Sequence, residues 1–280
     1  MSSSDNTPSE SFDGVDVDVA IIGAGSAGLV AYRQAKDAGA RVLICDPGPL
    51  GTTCARVGCM PSKLLIAAAN RHRAVQRGRD LGIEAENIAV NGSRVLDRLR
   101  EERDRFAGFS VRAVEVDAID DYLPDAVHFS GPSELRASSG QIVRAKAIVV
   151  ASGTRPAVPT PLDKLTSSLV TTDSVFEISA LPRKLAVVGS GPIGVELAQA
   201  FAGLDCEVTL FNRGTSLAGI ADPIIYDSFR ELLENDVRLL NNTAIESAED
   251  LGGRARLRWK DGDDVVKTEV FDLVLAATGW

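Results

Sequence analysis

Residues 15–28 read VDVDVAIIGAGSAG, an apolar strand that runs directly into a turn with three glycines. A helical segment follows to about Lys36, and a second strand at residues 40–45 ends at Asp46. Strand, G-x-G-x-x-G turn, helix and strand with a terminal acid form a complete dinucleotide-binding fingerprint. The sequence therefore predicts a nucleotide-binding βαβ unit near the start of the chain.

Each glycine of this turn has a separate physical task. Gly23 makes the tight turn, Gly25 lets a pyrophosphate approach the backbone, and Gly28 lets the helix pack closely on the strand. The N-terminus of the helix then stabilises the phosphates. Asp46, 18 residues after Gly28, is placed to hydrogen-bond a ribose hydroxyl.

A second fingerprint begins at Leu185. A strand at residues 185–188 leads into Gly189-Ser-Gly-Pro-Ile-Gly194, then a helix to about Gly203 and a strand at residues 206–211. Two such sites imply two different cofactors, the arrangement used for hydride transfer through a flavin. The second site ends in Asn212-Arg213, where an acid would favour NAD and an arginine could hold the 2′-phosphate of NADP. The choice between NAD and NADP stays open.

Composition fits this class. The 280 residues are 45% hydrophobic and 25% charged, enough for one large or two ordinary domains. A net charge of −9 argues against nucleic acid or an anionic membrane surface as the partner. No apolar run approaches the roughly 20 residues that span a bilayer. Residues 1–14 are polar and unlike a signal peptide, so we expect a disordered tail and a cytoplasmic, reducing setting.

The fold class predicted is α/β, with two Rossmann-like domains and small antiparallel excursions. A Pro-rich run at residues 156–161 places the boundary, giving domains at 15–157 and 158–280. Between and after the fingerprints we expect helices at 64–77, 94–106 and 220–236, short strands at 112–143, and strands at 145–150, 237–240, 254–260, 265–270 and 271–276, with a turn at Asp261-Gly262.

A third signal is the stretch GTTCARVGCMPSK at residues 51–63. Cys54 and Cys59 would point roughly 140° apart on an ideal helix, whereas a disulfide needs Cα atoms roughly 4.4–6.8 Å apart. A bridge therefore requires a distorted turn, which Gly58 permits; the alternative is two unrelated thiols in a loop. Cys45 and Cys206 lie in or beside predicted strands, where we expect buried, inert thiols.

As it stands here, GTTCARVGCMPSK resembles the redox motif of the flavin-dependent pyridine nucleotide–disulfide oxidoreductases. The ASGTRP segment at 151–156, VVGSGPIGVE at 187–196 and the closing AATG extend the resemblance over nearly the whole chain. The PSK ending is most similar to the dihydrolipoamide dehydrogenases, with the mercuric reductases second. Thr52 and Arg56 depart from the family pattern, which commonly has glycine and asparagine there.

The resemblance implies a ping-pong dithiol–disulfide mechanism. Cys54 would be the interchange thiol, Cys59 would exchange electrons with the flavin, and Lys63 near the flavin would pair with Glu196. FAD would be held by Gly23, Gly25, Ser26, Gly28, Asp46, Thr53, Lys63, Ser152 and Gly153. NAD or NADP would be held by Gly189, Gly191, Pro192, Ile193, Gly194, Asn212, Arg213 and Gly279. We expect no metal site.

The function that follows is electron transfer between NAD(P)(H) and a disulfide or dithiol, most similar to dihydrolipoamide oxidation, with a lipoyl group as partner. The alternatives are a mercuric reductase-type enzyme and a truncated, non-catalytic nucleotide-binding fragment. The resemblance also implies a C-terminal dimerisation domain with a catalytic His–Glu pair, which has no counterpart in these residues. His72 and His128 match no such motif, and we expect both to be non-catalytic.

Overall fold

The computed structural model describes residues 14–261 and 264–279. The tail expected at residues 1–14 lies, apart from Gly14, outside the described residues, as does Gly262 of the expected turn. The chain divides into two compact units. The first contains the described residues through Thr53 together with Ala107–Gly153, and the second contains Cys54–Phe106 and the described residues from Thr154 onward.

The helices and strands are as follows in chain order. The helices are α1 (Ser26–Asp37), α2 (Thr53–Arg56), α3 (Cys59–Arg77), α4 (Gly92–Glu115), α5 (Pro192–Ala202) and α6 (Pro223–Glu234). The strands are β1 (Val15–Ile22), β2 (Val42–Cys45), β3 (Tyr122–Leu123), β4 (Val127–Gly131), β5 (Glu134–Ala137), β6 (Ile142–Val150), β7 (Leu169–Thr171), β8 (Lys184–Val188), β9 (Glu207–Phe211), β10 (Arg238–Leu240), β11 (Ile245–Asp250), β12 (Ala255–Lys260), β13 (Val266–Phe271) and β14 (Leu273–Ala276).

The first unit is built on a six-stranded sheet in the order β3-β2-β1-β6-β5-β4. Strands β3, β2, β1 and β6 are parallel, and β4–β6 form the antiparallel excursion. The parallel register pairs Ile22 with both Cys45 and Val150, so three strands end together. This common end places the first glycine turn beside Asp46 and the segment after β6.

The second unit has a five-stranded parallel sheet in the order β10-β9-β8-β14-β7, and a separate antiparallel sheet of β11, β12 and β13. Val188 pairs with Phe211 on one side and with Ala276 on the other, and Ala276 pairs with Thr171. The carboxyl ends of four strands therefore share one edge, the edge at which open α/β sheets bind ligands.

The predicted fold class is confirmed, and several element boundaries are corrected. Helix α3 begins at Cys59 instead of residue 64, and α4 continues to Glu115, where we expected it to end at residue 106 and strands to begin at 112. Pro61 does not prevent the earlier start of α3, because N–H groups in the first helical turn have no intrahelical partner. Strand β7 was not predicted because it has only three residues, and β11 because four of its six residues are polar.

Helices α3 and α5 pack against each other in the second unit. A Cβ on Gly203 would lie 2.9 Å from the Cβ of Ala69, so the glycine permits the close approach. Arg73 donates to the Gln199 carbonyl at 2.9 Å, and the His72 ring bonds the Gly203 carbonyl at 3.0 Å. Cations and ring N–H groups near a helix C-terminus stabilise its unpaired carbonyls. These contacts fix the helix that begins at Cys59.

Asp250 joins β11 to the loop before β7. Its carboxylate accepts from the backbone N–H groups of Thr166 and Ser167 at 2.7 and 2.8 Å, and of Gly252 at 2.9 Å. These backbone bonds, with a further one from the Ser167 hydroxyl, hold the pKa of Asp250 well below its usual range. The carboxylate thus stabilises the folded state above its unfolded pKa of about 3.9, and that contribution is lost as the pH falls below it.

We predict that Asp250→Asn lowers the thermal unfolding temperature at pH 7 by several degrees, because the amide cannot accept all of these bonds. The difference from the parent should shrink as the pH falls below about 4, where Asp250 becomes protonated in the unfolded parent chain while the folded carboxylate is still charged. Calorimetry across that range tests this. Asp227→Asn, at an exposed position on α6, is the control and should show no such pH-dependent difference. A difference that is independent of pH would contradict the assignment.

No helix in the part of the chain that the structure describes combines the length and the apolar character needed to cross a membrane.

Candidate functional site

The redox stretch folds as two helices separated by a break. Cys54 lies in the four-residue α2, Cys59 is the first residue of α3, and Gly58 between them has non-helical dihedral angles (φ −120°, ψ −112°). Because the helix is interrupted, the thiols are not held 140° apart as on one continuous helix. Both are free and exposed, and the side chain of Cys54 hydrogen-bonds that of Cys59.

The hydrogen bond with Cys59 favours the protonated form of the Cys54 thiol. The side-chain hydrogen bond with Cys59, then partial burial, raises the pKa of the Cys54 thiol above its ordinary value. The backbone N–H of Cys59 and the charge of Lys63 act in the opposite direction. Cys59 itself begins a 19-residue helix, whose N-terminal N–H groups and macrodipole favour negative charge beside them. Cys54 is therefore subject to opposing influences, of which its hydrogen bond with Cys59 is the largest.

Lys63 lies one helical turn after Cys59. Its Nζ donates to the Glu196 Oε2 at 2.6 Å, and the side chain remains 60% exposed. Glu196 is on α5, so the ion pair connects the redox helix to the helix of the second glycine turn. An exposed ion pair of this kind contributes little to stability. It does hold the positive charge of Lys63 close enough to act on the Cys54 thiol.

The first glycine turn has the geometry that a dinucleotide requires. Gly23 has φ +106°, and a Cβ there would overlap the backbone oxygen of Ala151; a Cβ on Gly28 would overlap that of Gly23. Gly25, by contrast, has nothing within 4 Å of where its Cβ would be. It is also the N-cap of α1, without a side-chain cap, so the N-terminal N–H groups near Ser26 suit a phosphate.

Asp46 lies where the fingerprint predicts it, at the end of β2. Its Oδ2 accepts from the Ala24 N–H at 2.6 Å and its Oδ1 from the Gly48 N–H at 2.7 Å. The carboxylate thus fixes the glycine turn, and each oxygen keeps one lone pair for a ribose hydroxyl. Ser152 and Gly153 follow β6 at the same edge of this sheet, since the Ala151 N–H donates to the Ile22 carbonyl. Thr53 is the last residue of the first segment of this unit, which resumes at Ala107.

The second turn repeats this geometry in the second unit. Gly189 has φ +111°, with its Cβ position blocked by Ala277, and a Cβ on Gly194 would overlap the oxygen of Gly189. Gly191 again faces open space and is the N-cap of α5. In both turns the first and third glycines are required because backbone atoms lie where a Cβ would be. The second glycine faces open space, where a pyrophosphate would approach.

A cleft of about 930 Å³ opens beside the second turn. Its lining comes from six segments of the second unit, which include Gly189–Gly194 in full with Pro192 and Ile193, the residues Asn212 and Arg213 after β9, Thr172 after β7, and Gly279 after β14. Another segment, residues 157–162, is joined to the end of β14 by a 2.9 Å bond from the Ala157 N–H to the Gly279 carbonyl. Its volume suits a nucleotide-sized ligand.

Asn212 and Arg213 have different surroundings in this cleft. The Asn212 side chain is buried, donating to Asn241 Oδ1 at 2.7 Å and to the Ser216 carbonyl at 3.2 Å while accepting from the Gly214 N–H at 3.1 Å. Its hydrogen-bonding groups are thus used in shaping the loop. Arg213 is exposed on the cleft wall.

Sequence reasoning missed two residues at this edge. Thr172 and Asp173 follow β7, a strand that was not predicted, and Thr172 lines the cleft. Strand β7 is only three residues long, which is too short for a clear strand signal in the sequence. Its place in the sheet, which brings the segment near the second glycine turn, appears only in the structure.

The two histidines are placed in surroundings that fit structural roles. The His72 side chain is buried between α3 and the end of α5, 3.5 Å from Asp205. His128 is exposed on β4 of the first unit.

Two glycine turns, each at the carboxyl edge of its own parallel sheet, are typical of enzymes that bind two dinucleotides. A model of the pyridine nucleotide-disulphide oxidoreductase family matches residues 17–280. The chain belongs to this family, whose cofactors are FAD and NAD(P), and the predicted family and cofactors are confirmed.

Comparison with individual proteins gives several relatives at similar identity. Mercuric reductase of Staphylococcus aureus is 30% identical over 99% of this chain and 50% of its own length. Mycothione reductase of Mycobacterium tuberculosis is 31% identical over 94% and 57%, and dihydrolipoyl dehydrogenase of Geobacillus stearothermophilus 27% over 95% and 57%. The chain thus spans 50–57% of the length of these relatives.

Among solved structures, the HOCl-induced flavoprotein disulfide reductase RclA of Escherichia coli has a similar fold. The TM-score is 0.77 at 21% sequence identity, over 94% of this chain and 56% of that protein. This likeness supports the fold.

Proposed function

We propose that the chain is the nucleotide-binding portion of a FAD-dependent dithiol–disulfide oxidoreductase, passing electrons between NAD(P)(H) and a disulfide substrate. The observation that carries the proposal is the contact between the Cys54 and Cys59 side chains, with Lys63 one turn away and fixed by Glu196. Two exposed thiols in contact can close to a disulfide and reopen, which is the chemistry that this family's name describes.

The first unit supplies the FAD site in this proposal. Gly23, Gly25 and Gly28 with Ser26 would hold the pyrophosphate at the start of α1, and Asp46 would accept from a ribose hydroxyl. Ser152, Gly153 and Thr53 would complete the site. When bound, FAD supplies two-electron exchange between the nicotinamide and the dithiol.

The thiols carry out the substrate half of the reaction. The Cys54 thiolate attacks one sulfur of the substrate disulfide, forms a mixed disulfide and releases the first substrate thiolate. Cys59 then attacks the Cys54 sulfur, which releases the second substrate thiolate and leaves a Cys54–Cys59 disulfide. Two electrons from the nicotinamide side and two protons restore the dithiol. Lys63 assists because its charge partly offsets the rise in the pKa of the Cys54 thiol that the hydrogen bond with Cys59 causes.

For the substrate, we propose a small or protein-bound disulfide of the lipoyl type, supported by the PSK ending of the redox stretch and by the dihydrolipoyl dehydrogenase relative. A mercuric reductase-type activity is the second candidate, supported by the mercuric reductase relative that aligns over 99% of the chain. We also propose that the complete protein is a homodimer working in the reducing cytoplasm, where an oxidisable dithiol is more often catalytic than structural.

An absorbance titration tests this function. We expect the purified chain to take up FAD, the bound flavin to be bleached by NADH or NADPH, and two thiols to appear in the oxidised protein after reduction. Failure to take up FAD while nicotinamide nucleotides still bind would instead identify a non-catalytic nucleotide-binding fragment. Bleaching without a gain of thiols would contradict the role of the cysteine pair.

Arg213 is the residue on which we base a coenzyme prediction. Its exposed guanidinium at the end of β9 suits a 2′-phosphate, and we predict that Arg213→Glu weakens NADPH binding about tenfold or more while NADH binding changes little. Equilibrium titration with both nucleotides measures this. Arg183→Glu, at the opposite end of β8, is the matched control. Equal losses for the two nucleotides would contradict the assignment.

A further inference from the structure

Two side chains directly after β7 have buried polar atoms that lack partners. Thr172 is 6% exposed, and neither its Oγ1 nor the Oδ1 of Asp173 has a hydrogen-bond partner within the described residues. Burying a hydroxyl without a hydrogen bond costs free energy, and such groups are rare in native proteins. The missing hydrogen bond is explained if a bound ligand supplies the partner of the Thr172 hydroxyl.

The position of Thr172 indicates which ligand. It lines the cleft that also contains Gly189–Gly194 and Arg213. In the sheet order β9-β8-β14-β7, the glycine turn follows β8 and Arg213 follows β9 on one side of it. Thr172 follows β7 on the other side, roughly 10 Å from β8 at the usual strand spacing.

A dinucleotide has the same order of parts. With its pyrophosphate at the start of α5 and its adenosine ribose beside Arg213, the other nucleoside extends toward β14 and β7. That nucleoside carries the nicotinamide ring, and the ring bears one hydrogen-bonding substituent, the carboxamide. A hydroxyl both donates and accepts, so it can pair with either half of an amide.

We propose that Thr172 Oγ1 hydrogen-bonds the carboxamide of the nicotinamide ring and so positions it in the cleft. The inference rests on the proposed nucleotide site. It adds a residue for which the fingerprints give no signal, and it explains why this buried hydroxyl has no hydrogen-bond partner in the part of the chain that the structure describes.

The test compares ligands with and without the ring. Thr172→Val removes the hydroxyl at nearly constant shape, and Thr172→Ser keeps it. The probes are NAD⁺ against ADP-ribose and NADP⁺ against 2′-phospho-ADP-ribose, because each second probe keeps both riboses and the pyrophosphate but lacks nicotinamide. Binding is measured by titration calorimetry, and the unfolding temperature of each free variant by scanning calorimetry.

We expect Thr172→Val to weaken NAD⁺ or NADP⁺ binding about threefold to tenfold and to leave the ADP-ribose probes unchanged. Thr172→Ser should bind the dinucleotides as the parent does. The free Thr172→Val protein should unfold at the same temperature as the parent or higher, because an unpaired buried hydroxyl has been removed.

Four outcomes would overturn the proposal. Equal weakening of the dinucleotides and the ADP-ribose probes would assign Thr172 to a ribose or to the fold. Unchanged binding of every probe, or failure of Thr172→Ser to retain dinucleotide binding, would remove the hydroxyl from recognition. A parent chain that binds none of the four probes would refute the nucleotide site itself, which separates failure of the proposed function from failure of this inference.

Discussion

Replacement of Cys59 by serine is expected to stop turnover of a disulfide substrate and to leave Cys54 trapped in a mixed disulfide. Cys54 can still attack, because it is exposed and has Lys63 nearby, but the second thiol that would release the substrate is absent. We expect the rate of nicotinamide-dependent disulfide reduction to fall on the order of 10³-fold or more. FAD and nicotinamide binding should be unchanged.

The two single variants distinguish the roles of the thiols. In Cys59→Ser, mass spectrometry after incubation with an aromatic disulfide should show one stable adduct on Cys54. In Cys54→Ser we expect equally low turnover but much slower adduct formation at Cys59, because that residue is not the interchange thiol. Adducts that form equally fast in both variants would contradict this division of roles, and full turnover in either would contradict the mechanism.

The buried cysteines provide the matched control. Burial raises the pKa of the Cys206 thiol to about 12 and that of Cys45 to about 11. Both thiols are therefore protonated at neutral pH and, unlike Cys54 and Cys59, they are buried where a reagent cannot reach them. We expect Cys206→Ala to keep full turnover and the reduced parent chain to show two fast-reacting thiols, with the other two reacting only on unfolding.

Both glycine turns could be predicted from the sequence because their requirements are local. Gly23 and Gly189 must adopt positive φ, and Gly28 and Gly194 must leave room for a backbone oxygen, so no other residue fits. The contact between the thiols was left open by spacing alone, since it depends on a helix break that several local conformations could provide.

Features that depend on sheet order were not predictable. Strand β11 reads IESAED, which looks like a loop because four of its six residues are polar. In the structure only Ala248 of this strand is buried. Strand β7 has three residues, so its position at the end of the sheet, and with it the placement of Thr172 in the cleft, appears only in the folded structure. Likewise, the bonds that hold the Asn212 side chain come partly from Asn241, 29 residues away.

The second large effect concerns the two glycines at the start of α5, which have opposite surroundings. We expect Gly191→Ala to keep the unfolding temperature of the parent, because its φ of −65° suits alanine and nothing lies within 4 Å of the new Cβ. The methyl group would, however, occupy the space that a pyrophosphate needs. Nicotinamide nucleotide binding should therefore weaken about tenfold to a hundredfold, since hydrogen bonds to a charged group are lost.

Gly194→Ala should instead lower stability more than nucleotide binding. Its Cβ would overlap the backbone oxygen of Gly189, and a backbone atom cannot move away as a flexible side chain would. We expect a loss of about 3 kcal/mol in the free energy of unfolding, and a fall of roughly 6–12 °C in the unfolding temperature. Scanning calorimetry and nucleotide titration on both variants separate the two effects. If Gly191→Ala loses as much stability as Gly194→Ala, or binds nucleotide with the parent's affinity, the open space at Gly191 is not where the phosphates bind.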